Sequence, residues 1–118
     1  MNRNKPLIIS CVATAEDDIQ TRPVPQSILP AFEQSFRLNP VDKRRDVSDG
    51  SIRYRCFGDW VVTFQFGISD GAHHLLILRI EPYDGVSANP DVLKRLWEVI
   101  KIFSRTARAA DAAAKRKT

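Results

Sequence analysis

Hydrophobic and polar positions along the chain change period several times, and each change marks an element. The clearest pattern lies between residues 51 and 81. Three runs rich in β-branched and aromatic residues, 51–57, 60–67 and 74–81, are separated by Gly58-Asp59 and by a Gly/Ser/Asp-rich turn. This is the pattern of an antiparallel meander. Upstream, Leu7-Ile8-Ile9-Ser10-Cys11-Val12-Ala13 is an almost continuous apolar run, which predicts a strand over 7–13 buried on both faces. The acids Glu16-Asp17-Asp18 stop it, and Pro23 and Pro25 keep the following chain extended. Ile28, Leu29, Phe32 and Phe36 form one helical stripe, so a short helix is expected over 27–38, with Ser27 as its cap and Asn39-Pro40 as its stop. Residues 39–50 read as a loop because they hold Pro40, Gly50 and the basic run Lys43-Arg44-Arg45. After a second loop at 82–89, Asn89-Pro90-Asp91 opens a helix with a cap, a first-position proline and an acid that suits the helix dipole. Val92, Leu93, Leu96, Trp97, Ile100 and Phe103 are its apolar stripe, and it is expected to run over 90–108 or beyond. The fold class is α+β: a small, antiparallel-dominated sheet of about four strands with a short helix and a longer amphipathic C-terminal helix. Residues 1–108 form a single domain and 109–118 a basic Ala/Lys/Arg tail.

The register of the first hairpin can be argued from charge. A two-residue loop at Gly58-Asp59 places Phe57 opposite Trp60, and puts Arg53 and Arg55 on the face of Val62, Phe64 and Phe66. Desolvation disfavours two guanidinium groups there. A three-residue loop, Phe57-Gly58-Asp59, or a bulge instead gathers Ile52, Tyr54 and Cys56 with Trp60, Val62, Phe64 and Phe66. Arg53 and Arg55 then lie on the other face with Val61, Thr63 and Gln65. The sequence thus favours the odd loop, and a sheet with one aromatic face and one arginine-bearing face. Leu75 to Leu78 is apolar throughout, as expected of a strand inside a sheet covered on both sides.

Composition is that of a globular protein, with 43% apolar and 27% charged residues. Cys11 and Cys56 fall in apolar runs and read as buried free thiols of a reducing, cytoplasmic compartment. No stretch approaches the roughly 20 apolar residues of a membrane span, and no membrane partner is expected. The net charge of +4 is unevenly placed. Residues 89–118 hold eight basic residues (Lys94, Arg95, Lys101, Arg105, Arg108, Lys115, Arg116 and Lys117) against three acids, whereas residues 1–88 are close to neutral. This asymmetry suits a polyanionic partner, nucleic acid first, and equally a solubilising helix face.

Few constellations carry chemistry. His73 and His74 are neighbours on a strand and point to opposite faces; no C-x-x-C or H-x-x-x-H is present, and no metal site is expected. The histidines read as exposed residues at a turn. The glycines form no phosphate-binding loop, no nucleophile elbow is visible, and no cofactor is expected. Arginine on a sheet remains. Arg53, Arg55 and Arg79, with Lys43, Arg44 and Arg45 just before them, could hold the backbone of RNA or another polyanion. In a metal-independent RNA-cleaving enzyme, cations would stabilise charge on the phosphate, and Glu81, Tyr83 or a histidine would take the 2′-OH proton. The competing reading is that these arginines reach water or pair with nearby acids.

The run Tyr54-Arg55-Cys56-Phe57-Gly58-Asp59-Trp60-Val61-Val62-Thr63-Phe64 resembles the core of the RelE/ParE toxin superfamily, where an Arg-containing strand meets a Gly-Asp-aromatic turn. The helix opened by Asn89-Pro90 is similar in placement to that of HigB-like members. Val61 stands where the family usually has an arginine, and the family's two N-terminal helices are expected here as one. The resemblance implies an endoribonuclease acting on ribosome-bound messenger RNA and an antitoxin as protein partner. It carries over Arg55 and, more loosely, Arg79 as site residues. Three readings follow. One is binding of RNA or a partner through the arginine-bearing sheet face and the basic C-terminal helix. Another is a RelE/HigB-like toxin, and the third is a non-enzymatic accessory protein that docks a partner or a second copy of itself.

Overall fold

The computed structural model describes residues 7–42 and 44–101, apart from the side chain of Ser69. A five-stranded sheet runs in the order β1-β5-β4-β3-β2, with β1 (Leu7–Cys11), β2 (Asp46–Asp49), β3 (Ile52–Phe57), β4 (Trp60–Ser69) and β5 (Ala72–Pro82). Strands β2 to β5 are antiparallel, and β1 adds to β5 in parallel. Helices α1 (Ala13–Thr21) and α2 (Ile28–Leu38) cover one face. Helix α3, described over residues 90–101, covers part of the other. The end of α3 near 108 and the tail at 109–118 lie outside the described residues.

The strand expected over 7–13 and buried on both faces is β1, which ends at Cys11 and lies at the sheet edge with Ile8 exposed; two further elements differ from expectation. The acids Glu16-Asp17-Asp18, expected to end the first strand in a loop, lie instead in α1, and the chain is extended only from Arg22. Val12 makes the corner, donating its N–H to the Ile77 carbonyl and accepting the Glu16 N–H, both at 3.0 Å. The apolar face of α1 is only Ala15 and Ile19, too sparse to register as a stripe, and its third buried position is an acid, Asp18. The second surprise is β2, within the stretch read as a loop. It is a polar edge strand in which only Val47 is apolar, so no alternation announces it. Helix α2 falls where predicted, although Ser27 makes no side-chain cap bond. At α3 the expected cap is present, with Asn89 Oδ1 accepting the Val92 N–H at 2.9 Å.

The odd loop is corrected. Phe57 opposes Trp60, so Gly58-Asp59 is a two-residue loop, with Gly58 at φ +63° in the position where a type II′ turn wants glycine. Arg55 therefore opposes Val62, Arg53 opposes Phe64, and both lie on the face that α2 covers. Tyr54, Cys56 and Val61 fall on the opposite face and pack with Val92, Leu96 and Ile100 of α3. Desolvation did not exclude this register because the cation is fully coordinated. Asp46 of β2 takes the Arg55 guanidinium at 2.6 Å (Nε to Oδ1) and 2.9 Å (Nη2 to Oδ2). Nη1 donates to Ser35 Oγ at 3.1 Å, and Nη2 to the Asn39 carbonyl at 2.8 Å. The rings of Phe32, Phe36 and Phe64 each lie 5.8 Å from its central carbon. A planar five-donor fork suits this arrangement where an ammonium would not.

The β4–β5 pairing shifts between Thr63 and Phe64, so that Thr63 opposes Arg79 and Phe64 opposes Ile77. One extra β5 residue is accommodated, and Leu75, Ile77 and Ile80 all reach the core beneath α1 and α2. Pairing of β1 with β5 ends at Ile77. Beyond it the Ile80 N–H is taken by Asp18 Oδ2 at 3.0 Å, and the same carboxylate receives Arg79 at 2.8 and 3.0 Å and Arg22 at 3.2 Å. As expected, the strand holding Leu75 to Leu78 is internal to the sheet.

Two outcomes test these anchors. Arg55→Met leaves Asp46 buried without its main partner and is expected to cost about 3–5 kcal/mol in urea unfolding; the double variant Arg55→Met/Asp46→Leu recovers most of that loss. For Asp18, burial alone would raise the pKa, but the bonds from Arg79, Ile80 and Arg22 outweigh it and hold the carboxyl below its ordinary 3.8. The unfolded chain therefore takes up this proton first as pH falls. The Asp18 contribution is complete above the ordinary value and is lost as pH drops through the folded one. Asp18→Asn should lower stability at neutral pH, and the gap to the parent protein should close in acid, as read by unfolding at a series of pH values.

Candidate functional site

The four residues read as catalytic are distributed over three environments. Arg55 has a side-chain exposure of 0%, and all three of its nitrogens are engaged. In this conformation no phosphate can touch it. Arg79 and Glu81 lie together, Nη2 to Oε2 at 3.6 Å. Arg79 is mainly the partner of Asp18, whose hydrogen bond raises its pKa, so it stays charged. Glu81 is buried and accepts the N–H and hydroxyl of Ser87 through Oε2, at 3.2 and 2.9 Å. It is thereby a tie between β5 and the loop leading to α3, without solvent access for proton transfer. Tyr83 opens a 3₁₀ turn, Tyr83–Gly85, and meets the Trp97 ring edge-on, with centroids 5.9 Å apart.

The cations read as contacting nucleic acid also divide. Arg53 is largely enclosed. It donates to the Pro40 carbonyl at 2.8 Å, stands 3.6 Å from Asp46 and lies over the Phe64 ring. The arginine-bearing sheet face is thus an interior, covered by α2, and not a surface that could receive RNA. Arg44 is exposed, and Arg45 lies 6.0 Å from the centroid of the Phe57 ring and 3.9 Å from Asp42. Lys43, Arg105, Arg108, Lys115, Arg116 and Lys117 lie outside the described residues. On α3, Lys94, Arg95 and Lys101 are exposed, while Val92, Leu96 and Ile100 face the sheet.

Other candidate chemistry recedes. His73 and His74 lie within β5 and not at an exposed turn: His73 is buried and stacked on Phe66 at 5.4 Å, and His74 is half-buried. Among the described residues no group of His, Cys, Asp or Glu could hold a metal ion. Both cysteines are free. Burial, with a further push from Asp46, raises the Cys56 thiol to about 11, and burial with Glu16 raises Cys11. Neither is a ready thiolate. Among the described residues no helix is long and apolar enough to cross a membrane.

Asp46 and Asp18 are residues whose structural role the sequence pattern hid, and Trp97 is one whose exposure it hid. The two acids look like ordinary loop acids, and only the tertiary structure brings each to an arginine. Trp97 falls at helical spacing with core positions, but its side of the helix turns outward and 45% of it is exposed.

No protein-family model matches the chain, and no curated protein matches it. The faint resemblance to the RelE toxin fold read from residues 54–64 has a structural counterpart. The chain is similar to one in the crystal structure of the toxin–antitoxin complex RelBE2 from Mycobacterium tuberculosis, with 19% identity and a TM-score of 0.45. The similarity covers 65% of this chain and 98% of that one. At this level it is a likeness of outline and transfers no activity.

Proposed function

We propose that the protein is a binding module for a polyanion, with RNA the first candidate, and that it binds through the outer side of α3 and the basic segment that follows. The observation that carries this reading is the division of α3. Its apolar residues Val92, Leu96 and Ile100 are consumed by the sheet, which leaves Lys94, Arg95 and Lys101 turned to solvent. Arg105, Arg108, Lys115, Arg116 and Lys117 continue the same sign of charge along the sequence. Cations in such a run release condensed counterions when they meet phosphates, which gives affinity without base specificity.

The burial of Arg55 and Glu81 favours binding over chemistry. A toxin-like endoribonuclease needs a cation at the phosphate and a base at the 2′-OH, and two of the residues read for those tasks are enclosed in the core. Exposed Leu38 and Val41, beside the C-terminal end of α2, favour a protein partner as a second reading.

Binding to a fluorescent single-stranded RNA is expected to weaken steeply with salt. Deleting residues 109–118 removes Lys115, Arg116 and Lys117 and should reduce the slope of log K against log salt by about 2. An unchanged slope sinks the proposal. Cleavage of the RNA by folded protein, abolished by Arg79→Ala, would replace it with the enzymatic reading.

A further inference from the structure

We propose that Trp97 is a stacking platform for an unpaired base, so that the polyanion bound by α3 is single-stranded nucleic acid; this inference rests on the binding reading above. Among the described residues Trp97 is the one aromatic among the exposed large hydrophobic side chains. The core does not explain it, because the buried positions of α3 are filled by Val92, Leu96 and Ile100. Nor is the ring left to swing freely. Tyr83 meets it edge-on at 86°, and Tyr83 is itself placed by its N–H bond to the Asp59 carbonyl at 3.1 Å. The contact spans the end of β5 and the middle of α3, so the indole is oriented before any ligand arrives.

Charge is arranged around the ring. Lys94 and Lys101 are three residues before and four after Trp97, which places them above and below it on one side of the helix. Both are exposed. An aromatic face flanked along the helix by two cations matches a base with phosphates on either side. Stacking of this kind tolerates any base, since each has a π-face. Acids adjoin both rings in sequence, Asp84 beside Tyr83 and Glu98 beside Trp97. Charge alone is therefore diluted at this spot, and the stacked ring is what distinguishes it from the rest of the basic segment.

The test uses the full chain carrying Trp60→Phe, so that Trp97 is the sole tryptophan emitter. Its emission is followed during titration with a short mixed-sequence single-stranded RNA and, separately, with inorganic polyphosphate, which has charge but no bases. RNA is expected to quench the emission, whereas polyphosphate should bind without quenching. In the parent background, Trp97→Ala should weaken RNA binding about tenfold and leave polyphosphate binding unchanged, and Trp97→Phe should restore most of the loss. Salt-sensitive RNA binding with no quench and no effect of Trp97→Ala overturns the platform and leaves the polyanion reading standing. An equal loss for RNA and polyphosphate, or loss of the cooperative unfolding transition in the Trp97→Ala variant, assigns the ring a structural role and also overturns the platform. Binding of neither ligand overturns both readings. Absence of quenching together with dimers that Trp97→Ala dissolves overturns the platform in favour of a second copy of the chain.

Discussion

The guanidinium of Arg55 lies in the core, and a buried cation must be met on every side. Much of the architecture around β3 follows from that requirement. Asp46 supplies two oxygens, so the polar stretch around it is held in line as β2. Ser35 and the Asn39 carbonyl supply two more, so the last turn of α2 and its exit are tied to the sheet. Three phenylalanine rings close the space that remains. Interactions of this kind add little net stability compared with a well-packed apolar core, because desolvating two ions cancels most of their attraction. They penalise alternatives heavily. A sheet slipped by one residue would strand Arg55 without Asp46, so the pair selects one register.

Asp18 performs the corresponding task near the other edge of the sheet with the signs exchanged. There a carboxylate is enclosed, and two arginines and a backbone N–H of β5 converge on it. The contact lies just past the point where β1 stops pairing with β5, and it replaces the ladder bond that a longer β1 would have made to Ile80. Both helices of the first layer are therefore fixed to the sheet by polar contacts as well as by apolar packing, α1 through the Asp18–Arg79 ion pair and α2 through the hydrogen bonds that Arg55 donates to Ser35 and to the Asn39 carbonyl.

This use of charge inside the fold shapes the functional reading. Arg53, Arg55, Arg79 and Glu81 are the residues that chemistry would first recruit, and all four are occupied in holding strands, loops and helices together. Among the described residues the α3 cations Lys94, Arg95 and Lys101 are exposed, and the helix carries them beside a tryptophan that Tyr83 meets edge-on.

The sequence by itself determined the elements whose signal is local. Alternation and turn residues located β3, β4 and β5; the phenylalanine stripe located α2; Asn89-Pro90 located the start of α3; and the continuous run at 75–78 put its strand inside the sheet. What the sequence could not determine was every feature that depends on a partner distant in the chain. The hairpin register was misjudged because a buried arginine is prohibitive alone and acceptable with Asp46, and nothing local links residues 46 and 55. For the same reason β2 and α1 were missed: their buried acids, Asp46 and Asp18, look solvated until an arginine from another strand is brought to them. Trp97 completes the contrast, since its spacing matches the core stripe and only the packing of α3 on the sheet decides that the ring faces outward. Apolar periodicity is written along the chain, whereas the compensation of a buried charge exists only once the chain has folded.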